Sequence, residues 1–358
     1  MIGWIWDYME RYDYENLYFC QNKDVGLKAV IAIHDTTLGP ATGGCRMWTY
    51  ENENDAIEDA LRLARGMTYK YAAAGVNLGG GKAVIIGSPK IDKSEALFRC
   101  LGRFIHSLGG RYYTGEDVGT TLQDMDYIRM ETPYVVTLPE SSGGAGPISP
   151  STAFGVLRAI KACAETILGS SNLNGRKIAV QGVGSVGYYL VQYLVKEGAR
   201  VIISDIDQDK VESVCQEFKV EKVSPDRIYG LDVDIFAPCA LGAVVNDATL
   251  EQFNCRIICG SANNQLKTEK HGDILEQKGI LYAPDYIVNA GGTIFDTDRL
   301  GLGGFNKERA LKNVARIFDT TKEVIAIAHR ENIPTYQAAD TLAERRIENY
   351  KKVRNAVL

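Results

Sequence analysis

A glycine pattern in the second half of the chain constrains its fold more than any other feature. The six residues Gly182-Val183-Gly184-Ser185-Val186-Gly187 follow the strand-like run Lys177–Gln181 and precede an apolar helical pattern. In such a position the first glycine makes the turn, the second lets a pyrophosphate approach the backbone, and the third lets the helix pack closely on the strand. The pattern predicts an α/β fold with a Rossmann-type, doubly wound domain that binds a dinucleotide.

An acidic residue indicates which dinucleotide is bound. Asp205 ends the next strand-like run, at the distance expected for a carboxylate that hydrogen-bonds the ribose hydroxyls. Asp207 and Asp209 follow, and no arginine comes directly after the strand, so a 2′-phosphate would meet negative charge. The sequence therefore predicts NAD as the cofactor rather than NADP. The alternative is that the three glycines only pack a turn.

The chain of 358 residues is long enough for two domains. Residues 141–150 are rich in glycine, serine and proline, which is typical of a linker or hinge. We therefore expect an N-terminal α/β catalytic domain over residues 1–148 and the NAD-binding domain over residues 149–329, separated by a cleft. A helix at about residues 330–358 is expected to pack back on the first domain.

Composition and charge narrow the class of partner. The net charge is −5 and the basic residues are scattered, which argues against a nucleic acid or an anionic membrane surface as the partner. No apolar run is long enough to cross a bilayer, and the N-terminus lacks the features of a signal peptide. The eight cysteines and four histidines show no metal-binding spacing. We expect a cytoplasmic protein with a small-molecule substrate and no metal.

Two lysines are the first candidates for chemistry. Lys70 closes the run Gly66-Met67-Thr68-Tyr69-Lys70, and Lys82 follows three glycines at 79–81 and precedes an apolar run. A phosphate loop is excluded, because the positions of its first glycine and its serine or threonine hold Val76 and Ala83. A lysine beside glycines and apolar residues loses hydration, which suits a catalytic amine. A glycine turn followed by a solvated lysine is the alternative.

A carboxylate is the third candidate. Asp117 comes shortly after the strand-like run 111–113, at what would be the edge of a cleft. Because a nicotinamide cofactor transfers hydride, the first domain must hold and polarise the substrate. We assign Lys82 as the base, Lys70 as the carboxylate anchor and Asp117 as a further acid or base. An aspartate that caps the following helix is the alternative for Asp117.

These motifs carry a resemblance to a known family. The chain resembles the superfamily of glutamate, leucine, phenylalanine and valine dehydrogenases, and within it the leucine dehydrogenases before the phenylalanine dehydrogenases. The similarity extends over nearly the whole length. The matching segments are residues 34–40, 66–70, 79–82, 116–119, 182–187, 237–240, 260–265 and 284–292.

The resemblance implies a reaction and roles for its residues. The reaction is the reversible, NAD-dependent oxidative deamination of a branched-chain, leucine-type L-amino acid to its 2-oxo acid, ammonia and NADH. By matching positions, Lys70 binds the substrate carboxylate, Lys82 activates the attacking water, and Asp117 moves protons to and from the nitrogen. The family also implies a homo-oligomer.

The resemblance assigns binding residues as well. Gly43 and Gly44 would line the carboxylate through their backbone, and Asn289 would contact the substrate near its ammonium group. For Cys239, a small filler of the core is an equally good interpretation. The positions matching the family's contacts to the nicotinamide and its ribose are Thr152, Cys239, Ala240 and Asn263.

The pocket for the substrate side chain departs from the family. Thr42, Gly115, Thr293 and Asp296 stand where leucine dehydrogenases have apolar residues, with Gly115 expected to enlarge the pocket. A buried hydroxyl or carboxylate without a partner costs free energy that a leucine side chain cannot return. The alternative substrates are therefore phenylalanine, other aromatic or more polar amino acids, unless Asp296 points away to solvent or to a lysine.

A non-catalytic NAD sensor is the remaining alternative. Such a protein would keep the glycine pattern. It would have no reason to keep Lys70, Lys82 and Asp117 together.

Overall fold

A computed structural model describes residues 3–355, which form two compact units. The first unit takes in the chain up to Gly146, the segment Asp296–Asn306 and the chain from Ala343 on. The second unit comprises Pro147–Phe295 and Lys307–Leu342. The outermost ends of the predicted domains, residues 1–2 and 356–358, lie outside the described residues.

The first part of the chain alternates strands and helices. Its elements are α1 (Gly3–Arg11), β1 (Asn16–Asn22), β2 (Leu27–Asp35), β3 (Ala41–Trp48), α2 (Glu53–Ala73), β4 (Gly79–Ile86), α3 (Glu95–Ser107), β5 (Tyr112–Glu116) and α4 (Leu122–Arg129).

The second part of the chain continues the alternation and ends in helices. Its elements are α5 (Ser149–Leu168), β6 (Lys177–Gln181), α6 (Ser185–Lys196), β7 (Arg200–Ser204), α7 (Gln208–Phe218), β8 (Glu221–Lys222), β9 (Asp232–Pro238), α8 (Asp247–Leu250), β10 (Asn254–Ile258), α9 (Glu269–Gln277), β11 (Leu281–Tyr282), α10 (Asp285–Val288), α11 (Gly291–Thr297), α12 (Lys307–Ala315), α13 (Ile317–Glu331) and α14 (Thr335–Asn355).

A five-stranded sheet in the order β1-β2-β4-β3-β5 forms the core of the first unit. β3 is parallel to both β4 and β5, whereas β1 and β2 run antiparallel to their neighbours. Because side chains alternate along a strand, each strand serves both faces. Ala32 and Val84 pack against Ala64 of α2, whereas Ile31 and Ile85 belong to the core beneath α3 and α4.

The three glycines before Lys82 lie inside β4 rather than in a turn. A Cβ atom at Gly80 would lie 2.2 Å from the backbone nitrogen of Thr68 in α2, and one at Gly81 would lie 2.7 Å from the ring of Tyr112. Protein atoms therefore fill the space beside both glycines, and Gly80 lets α2 pack closely on the strand. Lys82 is 4% exposed, so the alternative of a solvated lysine was wrong.

A six-stranded sheet in the order β11-β10-β9-β6-β7-β8 forms the core of the second unit, and all its strands are parallel. The helix α6 contacts β6 and β7, and α5 contacts β10. Phe236 and Ile258 pack with Leu275 of α9 in a separate core cluster. Strand order reverses direction at β6, as in a doubly wound fold, and the predicted fold class is confirmed.

The compact units differ from the predicted domain limits at two places. Residues 296–306, which we had placed in the NAD-binding domain, belong to the first unit, and residues 330–342, which we had placed with the first domain, belong to the second. Hydrogen bonds connect residues 296–306 to the first unit. Thr137 donates to Asp296 over 2.7 Å, and the Arg299 guanidinium donates to the carbonyl oxygen of Val135. The first boundary, after Gly146, lies inside the expected linker.

The end of α14 belongs to the first unit and contacts α2. The guanidinium of Arg346 donates to the carbonyl oxygens of Tyr71, Ala72 and Val76 over 3.0–3.2 Å. These carbonyls lie at or just beyond the C-terminus of α2. The backbone N–H groups of Val76 and Gly75 already donate to Tyr71 and Ala72, so Arg346 adds a further donor there. Arg346 therefore caps the helix that carries Lys70.

Between residues 3 and 355, no helix combines the length and the hydropathy that a membrane span requires.

Candidate active site

Lys82 and Asp117 form a buried ion pair. Lys82 lies in β4, Asp117 follows β5 directly, and Nζ lies 3.0 Å from Oδ2 of the carboxylate. The strand between them, β3, carries Gly44 at the crossing point. A Cβ atom there would lie 2.7 Å from Cβ of Asp117 and 3.3 Å from Nζ of Lys82. Gly44 therefore leaves the space in which the pair meets.

Arg46 joins Lys82 and Asp117 in a charged cluster. Sequence reasoning missed this arginine. Its Nε donates to Oδ2 of Asp117 over 2.9 Å, and its Nη1 donates to Asp59 over 2.8 Å. The hydroxyl of Tyr50 donates to the same Asp59 oxygen over 2.6 Å. Arg46 lies two residues beyond Gly44 in β3, so the period-two rule for strands was the signal that would have placed it on this face.

The cluster keeps Asp117 ionised. Burial raises the pKa of the Asp117 carboxyl, but the positive charges and hydrogen bonds of Lys82 and Arg46 outweigh burial and hold its pKa below the usual range. Asp117 therefore carries a carboxylate that two cations share. A proton can pass between Lys82 and Asp117 over a single hydrogen bond.

The loop after β5 fixes the position of Asp117. Its backbone N–H donates to the hydroxyl oxygen of Thr120 over 3.0 Å, and this hydroxyl lies 2.8 Å from the carbonyl oxygen of Cys45. Gly119 takes φ +82°, where a Cβ would lie 1.9 Å from the carbonyl oxygen of Met47. The cap of α4 is Thr121, so the alternative that Asp117 caps this helix was wrong.

The expected carboxylate-binding residues border the same sheet. Lys70 is half-buried in the last turn of α2, the helix that covers the face with Lys82. The carbonyl oxygen of Gly43 accepts a 2.8 Å hydrogen bond from the hydroxyl of Tyr112. A Cβ at Gly43 would lie 1.8 Å from the carbonyl oxygen of Gly81, so close strand packing accounts for this glycine.

Asp296 is buried rather than solvated. It is 4% exposed, and its Oδ2 accepts the hydrogen bond from Thr137. Burial raises the pKa of Asp296 to about 6, against the opposing effects of the Thr137 hydroxyl and the charge of Arg299. The alternative that Asp296 points to solvent was wrong. Thr137 was missed, because a single threonine in an apolar run carried no sequence signal.

Gly115 does not leave empty space. A Cβ at this position would lie 2.5 Å from Oγ1 of Thr137 and 3.0 Å from a methyl group of Val136. The expectation that Gly115 enlarges a pocket is therefore corrected, since the side chain of Thr137 occupies the room. The other expected pocket residues are Thr42, which is fully buried in β3, and Thr293, which lies in α11 within the second unit.

The glycine turn of the second unit fits a pyrophosphate. Gly182 takes φ +93° with Ala240 against it, and a Cβ at Gly187 would lie 2.0 Å from the carbonyl oxygen of Gly182. At Gly184, by contrast, no heavy atom of the described chain lies within 4 Å of an added Cβ. The helix α6 begins next, at Ser185-Val186, without a side-chain cap in the described residues. Its backbone N–H groups are therefore available to an anion.

The carboxylate of Asp205 accepts hydrogen bonds from the backbone of this turn and of the segment after β7. Its Oδ2 accepts from the backbone N–H of Val183 over 2.8 Å, and its Oδ1 accepts from that of Asp207 over 3.0 Å. The carboxylate thus lies beside the glycine turn at the end of β7, as the spacing predicts for a ribose ligand.

Two asparagines of the second unit share a side-chain hydrogen bond. The side-chain amide of Asn289 donates from Nδ2 to Oδ1 of Asn263 over 2.7 Å and to the carbonyl oxygen of Ser261 over 3.2 Å. Both donations orient the amide, and its Oδ1 is buried with no hydrogen-bond partner within residues 3–355. This oxygen is a preset acceptor for an ammonium or hydroxyl group.

The other expected cofactor residues surround the same region of the second unit. The hydroxyl of Thr152 donates to the carbonyl oxygen of Ile148 over 3.0 Å, and a Cβ at Gly292 would lie 2.3 Å from that hydroxyl. Cys239 donates its backbone N–H to Gln181 over 2.7 Å, and burial raises the pKa of its thiol. Ala240 is exposed beside the glycine turn.

Family models match most of the chain. The Glu/Leu/Phe/Val dehydrogenase dimerisation domain matches residues 15–134, and the Glutamate/Leucine/Phenylalanine/Valine dehydrogenase model matches residues 143–208 and 203–354. The chain belongs to the Glu/Leu/Phe/Val dehydrogenase family. It is therefore an amino-acid dehydrogenase, an oxidoreductase that uses a nicotinamide cofactor, as the sequence predicted.

Individual relatives agree with the family. A leucine dehydrogenase of Thermoactinomyces intermedius is 57% identical over 354 residues, which cover 99% of this chain and 96% of the relative. A phenylalanine dehydrogenase of Bacillus thermotolerans is 49% identical over 94% of this chain and 88% of its own. The solved L-tryptophan dehydrogenase from Nostoc punctiforme superimposes with a TM-score of 0.86 at 45% identity, covering 97% of this chain and 99% of its own.

We predict that Arg46→Gln raises the pKa of Asp117, because the substitution removes one of the two cations that lower it. The acidic limb of the pH profile of kcat/KM should then move to higher pH. Arg62→Gln is the control, since Arg62 lies 3.6 Å from the other oxygen of Asp59 and is largely exposed. An unchanged acidic limb in Arg46→Gln would contradict the role of the cluster.

We also predict that Gly115→Ala destabilises the protein through Thr137. The added methyl displaces the Thr137 hydroxyl and leaves Asp296 without its hydrogen bond, at a cost of about 1–3 kcal/mol. In a Thr137→Ala background the same substitution should cost less, since the nearest remaining atom is 3.0 Å away. Denaturant unfolding of the four proteins measures the coupling. Equal losses in both backgrounds would contradict the prediction.

Proposed function

We propose that the chain catalyses the reversible, NAD-dependent oxidative deamination of a leucine-type L-amino acid to its 2-oxo acid and ammonia. The observation that carries this proposal is the buried Lys82–Asp117 pair, whose atoms lie 3.0 Å apart. An amine and a carboxylate in one hydrogen bond can exchange a proton without help from bulk water. The relatives named as leucine dehydrogenases support the choice of substrate class.

The bound nicotinamide supplies the acceptor for the hydride that leaves the substrate Cα, which turns the C–N bond into an iminium. Lys70 binds the substrate carboxylate. Asp117, as a carboxylate, takes a proton from the substrate ammonium, so that the amine can lose hydride. Lys82, as a neutral amine, takes a proton from the water that attacks the iminium carbon. Asp117 then returns its proton to the departing nitrogen and, as the C–N bond breaks, takes the proton of the hydroxyl that becomes the carbonyl, while the Lys82 ammonium stabilises the oxygen.

Each proton released by the substrate or by water in this scheme has an acceptor on the chain, Asp117 or Lys82. Arg46 holds Asp117 through Nε and keeps the carboxylate ionised before the reaction. Gly43 and Gly44 bring backbone close to the substrate carboxylate. Asn289 accepts from the substrate ammonium through Oδ1, which has no other partner in the described residues.

A non-catalytic sensor is a poorer account. Binding NAD alone would not call for an ion pair that is buried beside a second aspartate and an arginine. Burying such charges costs free energy unless they are used or fully paired.

We predict that Lys82→Ala lowers kcat/KM about 10²- to 10⁴-fold, the usual range for loss of a general base. NAD affinity, measured by fluorescence titration, should stay within about twofold, because the residues proposed to bind NAD lie in the other unit. Lys93→Ala is the matched control, since Lys93 also pairs with a buried aspartate, Asp124. A comparable loss of activity in the control, or of NAD binding in Lys82→Ala, would argue against the assignment.

The cofactor preference has its own test. We propose that Gly182, Gly184, Ser185, Val186 and Gly187 hold the pyrophosphate, Asp205 holds the ribose, and Thr152, Cys239, Ala240 and Asn263 border the nicotinamide. NAD should be used at least tenfold better than NADP, and Asp205→Ser should narrow that ratio, because the carboxylate repels a 2′-phosphate. Asp232→Ser, at the N-terminal end of β9 and largely exposed, should leave the ratio unchanged. Equal use of both cofactors by the wild-type protein would refute the choice of NAD.

We further propose that the enzyme is a cytoplasmic homo-oligomer. The eight cysteines are unpaired thiols, which is typical of a reducing compartment. The matching model for residues 15–134 is described as a dimerisation domain, and Phe19 of the edge strand β1 is 62% exposed. Light scattering of the purified protein would give its mass, and a monomer would refute this point.

A further inference from the structure

Asp296 holds an acceptor that the protein leaves unused. Its Oδ2 takes the 2.7 Å hydrogen bond from Thr137, whereas its Oδ1 is buried without a hydrogen-bond partner in the part of the chain that the structure describes. A buried carboxylate oxygen with no donor is costly, and native structures keep few of them. Such an atom is explained when a bound molecule supplies the missing donor.

Two residues, Gly115 and Thr137, are arranged to hold this carboxylate. Gly115 leaves the room that the hydroxyl of Thr137 occupies, since a Cβ there would lie 2.5 Å from Oγ1. The hydroxyl in turn donates to Oδ2 of Asp296 and fixes the carboxylate with its second oxygen turned away from Thr137. The glycine, the threonine and the aspartate therefore form one group, which we call the Asp296 group.

The Asp296 group lies beside the Lys82–Asp117 pair. Gly115 of β5 is the register partner of Gly44 in β3, and paired residues of adjacent strands, about 4.8 Å apart, point to the same face. The missing side chain of Gly44 points at Nζ of Lys82 and at Asp117, and that of Gly115 points at Thr137. The carboxylate of Asp296, held by Thr137, therefore lies on the same face of the sheet as Lys82 and Asp117, one strand away from them.

The charge of Asp296 acts on the helix that carries the proposed substrate anchor. Burial raises the pKa of Tyr71, and the charge of Asp296 raises it further. Tyr71 lies in the last turn of α2, the turn that also carries Lys70.

We propose that Oδ1 of Asp296 accepts a hydrogen bond from the side chain of the amino-acid substrate, and so selects leucine-sized side chains that carry a neutral O–H or N–H donor. The inference rests on the proposed deamination reaction and restricts the preferred leucine-sized substrates to those with a polar side chain. An apolar side chain leaves the acceptor unpaired, whereas a hydroxyl or amide pairs it. A cationic side chain fits less well, because Arg299 already places a positive charge near the carboxylate.

Pairs of substrates with nearly equal shape isolate the hydrogen bond. Threonine is compared with valine, and asparagine with leucine, by the ratio of kcat/KM within each pair. Loss of a buried acceptor is a strong discriminator between such analogues, so Asp296→Leu should lower the polar-to-apolar ratio about tenfold or more in both pairs. Asp126→Asn is the control, since it removes a charge from α4 on the other side of the sheet and should leave both ratios unchanged.

Asp296→Ala is a second variant that adds no bulk, should Asp296→Leu not fold. It removes both carboxylate oxygens and presents no hydrogen-bonding group in their place, so the same ratios should fall. A change smaller than threefold in the folded variants overturns the inference and leaves the deamination reaction standing. If wild-type protein reduces NAD with none of the four amino acids, the proposed function fails instead.

Discussion

The ion pair between Lys82 and Asp117 is the interaction on which the rest of the first unit depends. Charges taken out of water are costly, and the attraction between them compensates only when the geometry is good and further hydrogen bonds are made. Here Arg46 supplies that further bond to the same carboxylate oxygen at 2.9 Å. Asp59 then balances Arg46, and Tyr50 donates to Asp59. The Lys82–Asp117 pair is thus the inner end of a chain of alternating charges that leads to the surface.

Two glycines leave the space that this cluster needs. At Gly44 the absence of a side chain lets Lys82 and Asp117 meet across β3, and at Gly80 it lets α2 lie close against β4. The two positions act differently, because the first makes room for functional side chains and the second makes room for a helix. In both cases a larger residue would move a group that takes part in the proposed chemistry.

The comparison of sequence with structure separates local patterns from distant contacts. The Rossmann-type domain followed from Gly182 to Gly187 with its flanking strand and helix, since these signals are local in the chain. Lys82 and Asp117 were found as single residues, but their pairing was not, because 35 positions separate them and only the strand order brings them together. Thr137 and Asp296 lie 159 positions apart, and no spacing rule connects them. The interpretation of Gly115 was wrong because the neighbouring side chain that occupies its space is invisible in sequence.

The cap that Arg346 provides to α2 has a consequence for how the enzyme comes into being. The helix carrying Lys70 has its last carbonyls bound by a guanidinium that lies 270 to 275 residues further along the chain. During synthesis α2 is therefore made early, whereas these additional hydrogen bonds at its end wait until α14 has left the ribosome. A nascent chain that stops before Arg346 already holds Lys82 and Asp117, yet the helix that carries Lys70 lacks the bonds from the guanidinium.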